Sequence, residues 1–523
     1  MIQTFMFYDF ETFGINVMRS KPSQIGIVMT DSDLNVIGDS IEYFCKPMTS
    51  SMPEIPACLI TGFTPEKILA MSKENDNVYN EYDFFQKLNT LFQSNSNMCV
   101  LGYNSYKYDD EIIRHGFFRN LISPYEREYS KGNSKFDIFH YTRAFAFLFP
   151  DQIVIPFDEE LKRPVFKLES LAKANNLDLT RAHDALSDVY STIALAKHMK
   201  ERQPEFWEHA LKTKDKNSVI NFVNNNKEFF LYSPYFSHEK GYFGFTHVLD
   251  NVVGDNPSEK FTIVSENLDD IKAMLALTPA EIAEEMNKKF DERKLNIPIA
   301  SFKVNGGPFM FTTKGLAAEG IKPTRNLRET FDLNKVQEAR IFIHQNIDMI
   351  NEFVQKVIKL KAPFVSGTDV DMTLYNNFID RADNFAIKNF HADMNKSNPD
   401  KSTYEKYFTS NPFKDDRLNQ LARRVILRNY YSEDLGSDIL NKAYCDLLKA
   451  HLGTDYAEDT PYQQKLSNLS LNEFQTQIQD YLSQEEYKDD PIILSLNKYG
   501  NEIREHYNRI VDKYDVKPKS LKP

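Results

Sequence analysis

The first apolar run of the chain places two carboxylates at the end of a strand that should be buried. Residues 5–7 form an apolar run typical of a β-strand, and Asp9 and Glu11 follow it. Because residues two apart on a strand point to the same face, these two side chains project side by side. Two like charges in a poorly hydrated setting cost free energy unless a cation neutralises them. The pair therefore predicts either a solvated acidic surface or part of a divalent-metal site.

Length and composition indicate a large protein of globular type. At 523 residues the chain exceeds what one hydrophobic core usually serves, so two to four domains of ~100–200 residues are expected. Its net charge of -12 argues against general attraction to a polyanion, so basic residues for a nucleic acid must be gathered locally. The four cysteines are scattered without a CxxC pair, and no apolar run approaches the ~20 residues of a membrane span. We expect a cytoplasmic protein.

The segment that follows the acidic pair predicts a sheet with helices around it. Strands are expected over residues 1–10, 24–30, 36–45 and 98–103, and helices over residues 80–95, 136–149 and 167–174. Asp109 falls at the start of the helix after residues 98–103. It is either a partner of that helix dipole or a ligand, because α/β sheets bind ligands beyond the carboxyl ends of their strands.

A third acidic stretch begins at His183. The helix after it carries an apolar stripe that includes Leu186 and Val189, and Asp184 is the expected N-cap. Asp188 lies one turn further in, where capping no longer explains a carboxylate beside an apolar stripe. His183 alone is either a helix-flanking surface residue or a proton acceptor.

Together these residues resemble the DEDDh 3′-to-5′ exonucleases. The positions that carry the resemblance are Asp9, Glu11, Asp109, His183 and Asp188. Longer runs are similar to the bacterial exodeoxyribonuclease I family, namely residues 8–14, 59–65, 101–104, 182–185 and 374–378, with the Arg-rich helix around Arg424. The resemblance covers most of the chain.

The resemblance, with the change of pattern along the chain, predicts three domains. An α/β ribonuclease-H-like exonuclease domain is expected at residues 1–200. Short β-type runs over residues 201–355 predict a β-rich domain, which the family implies is SH3-like. Helical periodicity dominates from residue 356 to 523, where a helical C-terminal domain is expected.

The chemistry implied is phosphodiester hydrolysis with two metal ions. Hard carboxylate oxygens favour Mg²⁺, with Mn²⁺ as a substitute, over zinc. Asp9, Glu11 and Asp188 are assigned to the ion that activates water, with Asp9 bridging to a second ion near Asp109. His183, whose reference pKa is ~6.5, is assigned as the general base.

Candidate substrate-binding residues surround this site in the sequence. They are Thr12, Phe13, Gly14, Phe63, Asn104 and Tyr108. Phe63 and Tyr108 are aromatic and could stack on bases of a splayed 3′ end. The alternative for Phe63 is a hydrophobic staple onto the helix that Thr64 caps.

Three functions remain open from the sequence. The first is a 3′-to-5′ exonuclease that degrades single-stranded DNA to 5′-mononucleotides, as the family does in DNA repair and recombination. The second is an RNA 3′ exonuclease, and the third is a non-catalytic single-strand-binding scaffold, which the complete set of acidic residues disfavours.

Basic residues outside the acidic site suggest further partners. Family membership implies binding to the acidic C-terminal tail of single-stranded-DNA-binding protein, with Arg325, Arg328 and Lys335 as candidates, although a solvated face is the alternative. The Arg-rich helix, from residue 417 to 428, could line a phosphate groove or face solvent. A monomer is expected, without membrane contact.

Overall fold

The structure is a computed structural model. It describes residues 4–177, 184–289, 292–361, 369–396, 400–429, 436–453 and 469–515. His183 lies outside the described residues.

Asp9 and Glu11 lie on the first strand of a six-stranded mixed sheet. Its strands are β1 Thr4–Thr12, β2 Pro22–Thr30, β3 Ile41–Cys45, β4 Val78–Tyr79, β5 Met98–Gly102 and β6 Ser134–Asp137, in the order β4-β3-β2-β1-β5-β6. β1, β2 and β3 form the predicted antiparallel meander, while β5 runs parallel to β1. The third strand begins later than predicted, because Val36 makes only an isolated bridge to Thr30.

Helices cover both faces of this sheet. They are α1 Ile55–Thr61, α2 Pro65–Met71, α3 Glu81–Ser94, α4 Asp109–Arg119, α5 Ile138–Leu148, α6 Leu168–Ala174 and α7 Ala185–Arg202, with a small hairpin of β7 Phe157–Asp158 and β8 Arg163–Pro164. Met6, Tyr8 and Phe10 on β1 pack toward α3 and α4. Phe5 and Phe7 share the opposite core with α5 and α7. The helix predicted over 136–149 is shorter, because residues 136–137 pair with β5 as part of β6.

A second sheet follows, as the sequence predicts. The elements are α8 Pro204–Leu211, α9 Lys216–Asn225, β9 Glu228–Tyr232, β10 Phe243–Val248, β11 Glu259–Val264, α10 Leu268–Leu275, α11 Pro279–Asn287, β12 Ile299–Lys303, β13 Met310–Phe311, α12 Thr313–Ala318, α13 Leu327–Thr330, α14 Leu333–Gln345 and α15 Ile347–Leu360. The five strands are antiparallel in the order β12-β11-β10-β9-β13. The SH3-like assignment stays a prediction.

The rest of the described chain is helical and returns to the first sheet. It contains α16 Asn384–Met394, α17 Lys401–Thr409, α18 Asp416–Asn429, α19 Asp438–Leu452, α20 Leu471–Leu482 and α21 Pro491–Tyr514. α21 packs against α1 and α2, so the two ends of the chain share one hydrophobic core. Within the described ranges, every helix is too short or too polar to cross a membrane. All four cysteines are buried and free.

The predicted domain boundaries at residues 200 and 355 fall inside α7 and α15, before these helices end. α15 packs on α11 and α14 of the second sheet region. We propose boundaries after Arg202 and Leu360, because these keep both helices whole.

Candidate active site

The alternation of β1 decides where its carboxylates point. Phe5 and Phe7 face α5 and α7, and Asp9 and Glu11 continue the same odd-numbered face. α7 comes very close to the sheet at Gly26 of β2. A Cβ on that glycine would lie 2.6 Å from the backbone nitrogen of Leu186, so no larger residue fits without a shift. The first turn of α7, with Asp188, is therefore held against the end of β1.

Three of the predicted ligands meet at this point. Asp9, Glu11 and Asp188 each offer a carboxylate oxygen, and the three oxygens lie within 4.8 Å of one another. All three side chains are half-buried. The residues come from a strand and from a helix more than 170 positions later, so the tertiary fold brings them together. Their donor set is entirely carboxylate oxygen, which suits a hard divalent cation.

Asp109 lies beside this group and is not part of the close triad. It is the first residue of α4, as predicted, and its Oδ1 accepts a hydrogen bond of 3.0 Å from the backbone N–H of Phe10. That bond ties the start of α4 to β1. Among neighbouring charges, Asp109 acts most strongly on Asp9. Asp109 can therefore be both a partner of the helix dipole and a metal ligand, because it occupies the positive end of α4 and also faces the acidic site.

The protonation of these groups reflects burial first and mutual repulsion second. Burial, with the charges of Asp109, Glu11 and Asp188, raises the pKa of Asp9 well above its usual range. Burial and the charges of Asp188 and Asp184 raise the pKa of Glu11 to about 8. Burial likewise raises the pKa of Asp109 well above normal, although the Phe10 N–H opposes it. A bound cation would stabilise the charged forms and reverse these shifts.

Asp184 has the predicted place but not the predicted contact. It is the N-cap residue of α7, yet its side chain makes no capping hydrogen bond. Its Oδ1 instead accepts from Nε2 of Gln24, 2.8 Å away, while Oε1 of Gln24 accepts from the N–H of Ala185 at 3.2 Å. The helix start is therefore satisfied by a side chain from β2, which no local sequence signal indicates.

Three predicted substrate-binding residues form one hydrogen-bonded group after β1. Thr12 Oγ1 lies 2.5 Å from the hydroxyl of Tyr108 and donates to the carbonyl of Gly14 at 2.7 Å. The Tyr108 hydroxyl lies 2.8 Å from the same carbonyl. Asn104 has a left-handed backbone (φ 61°), and its N–H donates to Oδ1 of Asp137 at 3.0 Å. These contacts fix the loops that border the acidic site.

The two phenylalanines predicted near the substrate are core residues in this structure. Phe13 and Phe63 are each 7% exposed. The ring of Phe63 packs on Phe44 with centroids 5.8 Å apart, and Nζ of Lys67 lies 4.4 Å from its centre. So little free ring surface favours the packing alternative for Phe63 over base stacking. Thr64 caps α2 as predicted.

A buried carboxylate next to the site was missed by sequence reasoning. Asp110 Oδ1 accepts from the Tyr8 hydroxyl at 2.6 Å and from Arg127 at 2.5 Å, and Oδ2 pairs with Lys135 at 2.8 Å. Burial opposes its ionisation, but Lys135 and Arg127 outweigh burial and hold its pKa well below normal. Adjacent aspartates in sequence thus have opposite charge environments, and only the Asp-Asp repeat marked the second one.

The basic residues predicted to line a groove are neutralised internally. Arg424 makes two contacts of 2.6 Å to the carboxylate of Asp369, and Arg428 pairs with Asp371 at 2.5 Å. Arg417 contacts Asp415 and the backbone carbonyls of residues 373 and 377. These internal partners argue against both a phosphate groove and a solvated face for Arg417, Arg424 and Arg428. The carboxylates that pair with Arg424 and Arg428 lie more than 50 residues away in sequence, whereas Asp415 is a near neighbour of Arg417.

The fold and the site define a class of protein. A mixed α/β sheet with clustered carboxylates at the end of its first strand can hold the divalent metal that phosphodiester hydrolysis uses. The family model described as "Exonuclease" matches residues 6–196, which include every carboxylate of the site. An exonuclease fold implies the use of divalent metal.

The sequences of related proteins identify one family within the exonucleases. Exodeoxyribonuclease I of Haemophilus influenzae is 32% identical over 396 residues, which cover 73% of this chain and 79% of that protein. Exodeoxyribonuclease I of Escherichia coli is 30% identical over 397 residues, covering 74% and 78%. The chain belongs to the exodeoxyribonuclease I family.

Solved structures of two exonuclease I proteins match this chain over nearly its full length. Escherichia coli exonuclease I in complex with a dA16 oligonucleotide matches with a TM-score of 0.78 and 26% identity, covering 97% of this chain and 100% of that chain. Exonuclease I from the moderate thermophile Methylocaldum szegediense matches with a TM-score of 0.79 and 25% identity, covering 96% and 99%. These matches confirm the predicted α/β exonuclease fold with a helical C-terminal region.

Proposed function

We propose that the protein is a metal-dependent 3′-to-5′ exodeoxyribonuclease that degrades single-stranded DNA to 5′-mononucleotides in DNA repair and recombination. The observation that carries the proposal is the convergence of Asp9, Glu11 and Asp188 within 4.8 Å. It is supported by the solved complex of the Escherichia coli relative with a dA16 oligonucleotide. A non-catalytic scaffold would have no need to gather buried like charges at a cost in stability.

The carboxylates fit two Mg²⁺ ions, with Mn²⁺ as a substitute. Asp9, Glu11 and Asp188 would hold one ion, and Asp9 with Asp109 would hold the other. The donor set consists only of oxygen atoms, which hard cations prefer as ligands. The pKa values of Asp9 and Glu11 are raised by burial and by neighbouring carboxylates, and a bound cation would neutralise that repulsion. When bound, such ions lower the pKa of a water molecule and neutralise charge that develops on the phosphate.

The protein itself would supply proton transfer and positioning. We assign His183 as the general base that accepts the proton of the attacking water, since imidazole has a reference pKa of ~6.5. Thr12, Gly14 and Tyr108 would border the terminal nucleotide through the loop that their hydrogen bonds fix. Asn104 would hold the opposite loop in place.

One degradation assay separates the candidate functions. Single-stranded DNA, duplex DNA and RNA, each labelled at either end, are incubated with the protein with and without Mg²⁺. We expect mononucleotides from the 3′ end of single-stranded DNA only with metal. RNA degraded at a comparable rate would favour the RNA exonuclease, because a site that accepts a 2′-hydroxyl does not discriminate. Binding without degradation under every metal condition would favour the scaffold.

The partner assignment concerns the surface formed by Arg325, Arg328 and Lys335. We propose that it contributes to binding the acidic C-terminal tail of single-stranded-DNA-binding protein. Arg328 and Lys335 are exposed, whereas Arg325 packs over Phe147 with its guanidinium 4.9 Å from the ring centre. Fluorescence anisotropy with a tail peptide at low salt tests this, with an Arg328→Ala Lys335→Ala variant. Unchanged binding by the variant would remove these residues from the interface. A monomer is expected by light scattering.

A further inference from the structure

A second group of metal-ligating side chains lies on the second sheet, away from the acidic site. Glu228 is the first residue of β9, and His247 on β10 is its direct cross-strand partner. His344 lies in the last turn of α14, which packs nearby. Each residue offers a ligand atom, and the three atoms lie within 4.8 Å of one another. Three elements of the fold therefore meet at one point with two imidazoles and one carboxylate.

Two of the three distances between these atoms are close to those expected around a tetrahedral ion. Oε1 of Glu228 is 3.3 Å from Nε2 of His344 and 3.6 Å from Nδ1 of His247. Ligands ~2.0–2.1 Å from a tetrahedral zinc ion stand about 3.3–3.4 Å apart. The two imidazole rings are nearly perpendicular, with centroids 5.0 Å apart.

An ordinary ion-pair cluster explains only part of this arrangement. It accounts for the contacts of Arg340 and His344 with Glu228, and it leaves Nδ1 of His247 3.6 Å from Oε1, which is beyond hydrogen-bond distance. His247, however, is 6% exposed, and its Nδ1 has no hydrogen-bond partner in the part of the chain that the structure describes. Buried polar atoms are nearly always satisfied, so an orphan nitrogen aimed at a carboxylate and a second imidazole points to a missing ligand.

Arg340 orients the carboxylate of Glu228, as an outer partner of a metal ligand would. Its Nε donates to Oε1 of Glu228 at 2.8 Å, and a terminal nitrogen donates to Oε2 at 2.6 Å. Each carboxylate oxygen has two lone pairs, so Oε1 can accept from Arg340 and still bind an ion. Ligating carboxylates in metalloproteins are commonly oriented by an outer hydrogen bond of this kind.

We propose that Glu228, His247 and His344 form a zinc-type site that ties α14 to β9 and β10. Imidazole nitrogens with a single carboxylate favour zinc and similar transition metals, in contrast to the all-oxygen acidic site, which favours Mg²⁺. The three protein ligands leave a fourth position for water. The site would be structural, because no substrate-binding residue assigned above touches it.

The test uses the full-length protein without a polyhistidine tag. Asp9→Asn and Asp188→Asn are first combined to remove zinc binding at the acidic site. Zinc affinity is then measured by competition with a chromogenic chelator. We expect about one zinc ion per chain in this background and a higher melting temperature with zinc. Adding His344→Ala should weaken binding by at least the ~100-fold that loss of an outer partner can cause, and should abolish the rise in melting temperature.

His344 is suited to this test because its side chain is 58% exposed, so the alanine variant should fold. The matched control is His238→Ala in the same background, since His238 is exposed and outside the cluster. It should bind zinc as the background does. The proposal is overturned if the background binds no zinc at micromolar concentration, or if the His344→Ala variant binds as tightly as the His238→Ala variant.

Discussion

Two buried carboxylate regions of this protein have opposite electrostatics. At the acidic site, the strongest neighbouring charges on Asp9 and Glu11 are other carboxylates, and their pKa values rise. The second region is the contact between residues 369–371 and α18, where burial also opposes ionisation of Asp371. The positive charges of Arg428, Arg424 and Lys21 outweigh burial there, so the pKa of Asp371 falls well below normal. Burial is common to both regions, so the neighbouring charge decides the sign.

This difference separates function from structure within one fold. A buried carboxylate with a guanidinium partner is an internal ion pair, whose loss destabilises the protein. Partly buried carboxylates that repel one another cost stability, and such groups are typical of functional sites, where a bound cation would neutralise them. Composition does not distinguish the two regions, because both are acidic stretches beside apolar segments.

Among variants that test this difference between the two regions, Asp188→Asn should have the largest effect. Removing one carboxylate from the acidic site should lower the degradation rate of single-stranded DNA by ~10³-fold or more, since metal ligation contributes several kcal/mol to the transition state. The melting temperature of the metal-free protein should stay the same or rise, because repulsion is relieved. Glu201→Gln, on the exposed end of the same helix, is the control and should change neither quantity. A variant with near-normal rates at saturating Mg²⁺ would show that Asp188 is not a ligand.

The variant His183→Gln tests whether His183 accepts a proton in the reaction or has only a structural role. As the general base, His183 should contribute ~10²–10⁴-fold to the rate, with binding of single-stranded DNA retained. The acid limb of the pH–rate profile should flatten, because His183 must be neutral to accept a proton. Normal rates with a lower melting temperature would instead assign His183 a structural role at the start of α7.

Arg428→Met probes the paired region. The Arg428 side chain is 3% exposed and pairs with Asp371 at 2.5 Å, so its loss removes the shorter of the two guanidinium contacts to this buried carboxylate, the other being Arg424 at 3.1 Å. The free energy of unfolding should fall by about 3–5 kcal/mol in urea denaturation. The rate per folded molecule should be close to that of the parent. Arg381→Met, at an exposed arginine, should cost less than about 0.5 kcal/mol. Equal losses in the two variants would contradict the ion-pair account.

The pH dependence of stability should differ with and without metal. The pKa of Glu11 is about 8 in the folded protein, above its reference value of 4.5, so the folded state binds more protons between these values. The contribution of Glu11 to the stability of the metal-free protein should therefore be fully present below about pH 4.5 and should be lost as the pH rises toward 8. Mg²⁺ should raise the melting temperature more at pH 8 than at pH 6. A rise that is equal at both pH values would argue against linked ionisation at this site.

The smallest change is expected from Asp184→Ala. The variant loses the 2.8 Å hydrogen bond from Gln24, which contributes about 1 kcal/mol, but it also removes a charge that repels Asp9 and Glu11. The net change in the free energy of unfolding should be below about 1 kcal/mol, and degradation should continue. A loss of activity as large as that of Asp188→Asn would place Asp184 among the ligands.

Local periodicity predicted much of the fold correctly. The period of two placed Asp9 and Glu11 on one face of β1, and the apolar stripe after residue 185 located α7 with Asp188 in its first turn. These predictions held because hydrophobic burial imposes its period on the sequence itself. Errors fell where a distant residue intervened. Residues 136–137 joined β6 because β5 offered a strand partner, and Asp184 lost its capping role because Gln24 from β2 took it.

The sequence alone determined which residues could share a face and which residue types could bind a cation, because both depend on backbone geometry and side-chain chemistry. The tertiary structure decided which charges are neutralised. Asp109 and Asp110 are adjacent, yet one faces other carboxylates and the other meets Arg127 and Lys135. The same holds for Glu228, His247 and His344, which lie far apart in sequence and share no local motif. Electrostatic energy depends on distances in space, and those distances exist only once the chain has folded.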